Sequence, residues 1–190
     1  MGPAETMPTA ERRSWGLGHV VLGLLLAEAM VLATILAFGL DSGEGGRDDL
    51  SLEMIALLQA SLWLGTIGVP VWLIWARGVS WSELGWGFRR HDTLSGLLIG
   101  IGTQVVAVPL LSLPIMLFTD DLDVAEPARE LVDKATGTGV VLLVLVVVVG
   151  APIVEEVFYR GLTLRALEGR MRPTFALILS SLLFAAIHFQ

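Results

Sequence analysis

Apolar runs at residues 19–40, 55–76, 94–118 and 139–154, with a fifth at 174–190, leave this chain few ways to fold. A helix rises about 1.5 Å per residue, so about 20 apolar residues cross the roughly 30 Å hydrocarbon layer of a bilayer. The first three runs meet that length. The fourth meets it only if its helix continues through Glu155 and Glu156. The fifth stops inside what reads as a helix. Only 16% of the 190 residues are charged and 54% are hydrophobic, whereas a soluble domain carries about a quarter charged residues. The mean hydropathy is +0.75. The expected fold is all-α, a polytopic transmembrane helical bundle with four complete spans and a truncated fifth, and the lipid bilayer is its first partner. The net charge of −7 comes with no basic patch, which argues against nucleic acid as a partner. With no cysteine, disulfides, thiolate metal sites and thiol nucleophiles are excluded.

Charge in the connections predicts orientation. Arg12 and Arg13 precede the first span, and Arg77, Arg89 and Arg90 follow the second. Arg165, Arg170 and Arg172 follow the fourth, while the remaining two connections are acidic. Under the positive-inside rule the N-terminus is cytoplasmic, as a multi-pass protein of the cell membrane. The first span exceeds the length of a signal-peptide core, so it reads as a retained helix. Residues 1–18 form a cytoplasmic tail, 19–138 the N-terminal helices and loops, and 139–190 a further helical region. Trp72, Trp75, Trp81 and Trp86 read as an interfacial aromatic belt. Residues 79–88 are expected to form a short helix on the membrane surface. Gly96, Gly100 and Gly102 read as close-packing positions, and Pro109 and Pro114 as kinks.

The segment "PIVEEVFYRG" sets two carboxylates and a guanidinium at the end of the fourth run. On a helix Glu156 and Arg160 share a face, with the glutamate on the favourable N-terminal side. Glu155 points about 100° away, free of that pair and suited to general-base work. Pro152 has no N–H to offer, so the helix should loosen just before the glutamates, and Gly150 eases this. The bland reading is a set of interfacial charges at a helix end. Ionisable residues in a span are costly, however, and point by default to function. His188, in "SSLLFAAIHFQ", lies deep in the fifth run with Phe184 one turn earlier. Alone it reads as a packing histidine. A short basic connection makes the fourth and fifth runs a helical hairpin, in which Glu155 and His188 reach similar depths.

"EEVFYRG" followed by "FAAIH" resembles the first two motifs, EExxxR and FxxxH, of the CAAX protease and bacteriocin-processing (Abi) family of intramembrane proteases. The motifs fall on Glu155, Glu156 and Arg160, then on Phe184 and His188, so residues 139–190 would form part of a protease core. The resemblance implies that Glu155 activates a water, that His188 holds or shares it, and that Glu156 and Arg160 orient site and substrate, with Phe184 in support. It implies substrates that are prenylated C-termini, peptide leaders or membrane-anchored proteins, cut near the cytoplasmic face. Two acids and one histidine without HExxH make a thin zinc site, so a metal-free site is favoured over a zinc-dependent one, and no other cofactor is expected. The family's third motif, HxxxN on a later helix, is not in the 190 residues. His19 precedes the motifs at the start of the first span, and His91 lies in an Arg-rich loop; both read as interfacial or solvated. The expectation is therefore an intramembrane endopeptidase, C-terminally truncated, with the activity of the chain itself in question. The alternatives are a non-catalytic immunity or scaffold protein of the same fold, and a proton-coupled transporter using Glu28 and Gln104 beside the glutamates. The sequence does not fix an oligomeric state.

Overall fold

The structure, a computed structural model, describes residues 15–40, 50–87, 90–118 and 126–188. Arg12, Arg13, Arg89, most of the first connection and the start of the third lie outside them. Among the described residues there is no strand. Helix α1 is Leu17–Phe38 and α2 is Leu52–Arg77. Helix α3 begins as Arg90–Gly102, widens into a π turn at Thr103–Ala107 and continues as Val108–Phe118. A short amphipathic helix, α4, follows at Glu126–Lys134. Helix α5 is Thr138–Glu168, and α6 is Pro173–His188. Four helices, α1, α2, α3 and α5, are long and apolar enough to cross a membrane. The chain is an all-α helical membrane protein.

Local chemistry sets the helix ends. The Met54 N–H donates to Ser51 Oγ at 3.3 Å to start α2. Gly39 and Gly78 end α1 and α2 at φ of 61° and 65°, a left-handed conformation that glycine adopts without a steric penalty. At the start of α1, the Gly16 N–H donates to His19 Nδ1 at 3.2 Å.

The helices pack at one end of the bundle. Trp15 and Val20 come from the α1 end, Val69 and Leu73 from α2, and Phe158, Leu162 and Ala166 from α5; all are buried. In lipid, apolar area alone does not favour helix association, so small residues and close contact must do so. Gly65 of α2 lies directly against the backbone of Leu26 and Ala27 on α1. A Cβ on Gly23 would lie 2.6 Å from the Phe158 ring, so the missing side chain is the seat of that ring. Gly150 receives Trp63 in the same way. A hydroxyl pair, Thr34 Oγ1 and Ser61 Oγ at 2.7 Å, ties α1 to α2.

Three expectations need correction. Gly96, Gly100 and Gly102 have no atom within 4 Å of a built Cβ, and α3 has no buried residue. They are not packing positions here; Gly23, Gly65 and Gly150 are. Residues 79–87 are turns rather than a surface helix. Glu83 accepts from the N–H and hydroxyl of Ser80, both at 2.9 Å, and the chain folds so that Val79 and Leu84 are buried. His91 sits in the first turn of α3 and not in a loop, solvated and 3.2 Å from Asp92. In the tryptophan cluster, Trp75 is 90% exposed, and Arg77 lies over the Trp72 ring at 5.2 Å.

Gly65→Val forces a side chain into the α1–α2 contact, and overpacking of this kind costs about 1–3 kcal/mol or more. Thermal unfolding in detergent should show a clear loss for Gly65→Val, while Gly100→Val stays within about 0.5 kcal/mol of the parent. Equal effects at the two positions would contradict the packing described.

Candidate active site

Pro152 cannot donate a backbone hydrogen bond, and α5 is loosened just before it. Residues Val144–Gly150 run as a π turn, followed by one α turn at Ala151–Glu155. A second π turn covers Glu156–Thr163. The helix thus continues through both glutamates, as the length argument required, and ends at Glu168. A tight turn then reverses the chain into α6. Glu155 lies about 20 Å along the axis from the turn end of α5, and His188 about 22 Å along α6 from the same end. The hairpin therefore brings them to one depth.

They meet there. His188 Nε2 is 3.5 Å from Glu155 Oε1, with the side chains 49% and 32% exposed. His188 Nδ1 is 2.8 Å from the Phe184 carbonyl oxygen. A carbonyl only accepts, so Nδ1 must carry the proton. In the neutral ring Nε2 is then an acceptor aimed at a carboxylate, which is also an acceptor. Two acceptors cannot bond each other directly. A water between them can donate one hydrogen to each, which is the arrangement a hydrolytic nucleophile requires.

The ring is fixed on its other side as well. Phe184 lies against His188 with centroids 4.2 Å apart, and Tyr159 meets Phe184 edge-on at 5.2 Å. Arg160 Nη1 donates to Glu156 Oε1 at 3.1 Å, on the rim and largely exposed. The diglutamate splits as expected: Glu156 turns to arginine and Glu155 to histidine. Between α5 and α6 opens a cleft of about 320 Å³, walled by Pro152, Glu155, Tyr159, Leu177, Ser180 and Phe184 among others. Among the described residues no three His, Asp or Glu side chains converge as a metal ligand set.

Tyr159 and Ser180 were not singled out from sequence. The signal was available in α6, where Ala176, Ser180, Phe184 and His188 recur at four-residue spacing on one face. His19 accepts from Gly16 and stacks on Trp72 at 6.0 Å, away from the cleft.

Residues 137–190 match the family described as "Type II CAAX prenyl endopeptidase Rce1-like". The matched stretch contains the whole hairpin and all five site residues expected from sequence. No curated protein and no solved structure matches the chain.

The histidine geometry predicts a spectroscopic contrast. In ¹⁵N-labelled protein at a pH where the rings are neutral, His188 should be protonated on Nδ1. His19, whose Nδ1 accepts from Gly16, should be protonated on Nε2. The chain has three histidines, so single replacements assign the signals. An Nε2-protonated His188 would contradict the arrangement.

Proposed function

We propose that the chain, whose residues 137–190 match the type II CAAX prenyl endopeptidase family, is an intramembrane endopeptidase whose attacking water is shared by Glu155 and His188. The observation that carries this reading is the 3.5 Å approach of Glu155 Oε1 and His188 Nε2, beside the cleft that Glu155 lines. Glu155 takes a proton from the water as general base while His188 Nε2 orients it. The hydroxide adds to the scissile carbonyl. The C–N bond then breaks, and the proton held by Glu155 passes to the leaving amine. Glu156 and Arg160, paired at the rim, orient the peptide as it enters. The chemistry needs a carboxylate, an imidazole and a water, with no metal and no cofactor.

The cleft suits an extended peptide. Leu164, Leu177 and Phe184 offer apolar contacts beside the polar pair. Candidate substrates are prenylated C-termini, peptide leaders and membrane-anchored proteins. The basic residues Arg77, Arg165 and Arg170 belong to the end where α2 and α5 finish, which supports a cytoplasmic assignment for that end and for the N-terminus of α1. The relay reading has less support, because Glu28 and Gln104 are exposed and neither lines the cleft.

Replacing the base without changing its shape is the direct test. Glu155→Gln should lower kcat for a cleaved peptide by about 10²–10⁴-fold and leave the protein monodisperse in detergent. The parent should keep its rate in EDTA. Normal turnover by Glu155→Gln would remove the mechanism, and loss of activity in EDTA restored by zinc would replace it with a metal-dependent one.

A further inference from the structure

The catalytic reading needs His188 opposite Glu155, yet little pins the end of α6 that carries it. Along the face of α6 that meets α5, Ala176 is 0% exposed and Ser180 is 6% exposed. Phe184 is half-buried and His188 exposed. Contact therefore weakens toward the site. Apolar helix faces in lipid gain little from one register over another, because sliding exchanges protein contacts for lipid contacts of similar kind. The tight turn restrains the near end of α6; farther along, a directional bond is what favours one register over its neighbours.

Ser180 makes such a bond. A helical serine ordinarily returns its proton to a carbonyl one turn back on its own helix. Ser180 Oγ instead donates to the Tyr159 carbonyl on α5 at 3.3 Å. That carbonyl lies inside the second π turn, where it also accepts the Leu164 N–H. A carbonyl has two lone pairs, and the widened turn leaves the second one turned toward α6. Tyr159 also touches Phe184, which touches His188. One residue of α5 thus receives the bond that sets register and the ring contact that orients the histidine.

We propose that Ser180 is a positioning residue: its hydroxyl, given to the Tyr159 carbonyl in the wide turn of α5, fixes the register of α6 and so holds His188 opposite Glu155. The geometric part stands independently of the chemistry; its importance for turnover rests on the protease reading. A slip of one helical turn, about 5.4 Å, takes His188 out of reach of Glu155.

The chain contains no cysteine, so an introduced pair is unique. Cysteines at Glu155 and His188 in the full chain, joined by a short bis-methanethiosulfonate reagent in native-like membranes, read the register without requiring activity. The pair is compared in the parent and with Ser180→Ala, Ser180→Thr and Ser180→Val. Threonine and valine share a shape and differ in the hydroxyl, so their comparison decides the matter even if Ser180→Ala folds poorly. A second pair, Thr34→Cys and Ser61→Cys, whose hydroxyls meet at 2.7 Å across the α1–α2 contact, reports bundle integrity. The expected result is cross-linking kept with threonine and reduced at least about threefold with valine and alanine, with the α1–α2 pair unchanged. In the cysteine-free protein, Ser180→Val should lower kcat by about 10–100-fold with KM within about twofold, the signature of misplacement and not of lost binding. Equal cross-linking with threonine and valine would overturn the proposal. Absence of cleavage in every form, with the cross-linking contrast intact, would count against the protease reading alone.

Discussion

One face of α5 is committed to the bundle, and the rest of the site follows from that. Phe158, Leu162 and Ala166 lie one turn apart and are essentially fully buried. The Phe158 ring occupies the notch left by Gly23 of α1. This fixes the rotation of α5 about its axis. With that face used, the neighbouring face carrying Glu155 and Tyr159 is turned to α6. A side chain at residue 23 would push Phe158 outward and rotate both groups away from His188. A small residue on the first helix is thereby linked to the orientation of a carboxylate on the fifth.

The second constraint is backbone geometry. A regular α-helix through Gly150–Thr163 satisfies every carbonyl within itself. The π turns on either side of Ala151–Glu155 change that pattern. Pro152 accounts for the first by withholding an N–H. The second presents the Tyr159 carbonyl to Ser180. Irregular backbone at membrane depth is tolerated where it is buried in protein or lines a cavity, and here it forms the wall of the cleft. The same feature recurs in α3, where the π turn Thr103–Ala107 lies just before Pro109.

Much of this was legible from residue spacing. Hydrophobic length gave the spanning helices, and the short basic connection gave the hairpin. Counting residues from that connection gave the common depth of Glu155 and His188. The Glu156–Arg160 pair follows from the i, i+4 rule. What failed has physical causes. Glycines in a span read as packing positions wherever they cluster, but spacing carries no information about a partner: Gly96, Gly100 and Gly102 face open space, while Gly23 and Gly65 make the close contacts. Residues 79–88 read as a short surface helix in sequence, yet Ser80 and Glu83 close a turn in which Val79 and Leu84 are buried. Ser180 was passed over because a serine among leucines carries no signal until the carbonyl that receives it is known.

The central claim is that the water held between Glu155 and His188 attacks the peptide directly. A single-turnover cleavage in H₂¹⁸O, with enzyme in excess over a cleaved peptide, tests it. Direct attack predicts ¹⁸O in the new carboxylate of the product and none in the protein. Recovery of ¹⁸O in the Glu155 side chain, with unlabelled product, would instead mean an acyl intermediate on the glutamate and would contradict the account.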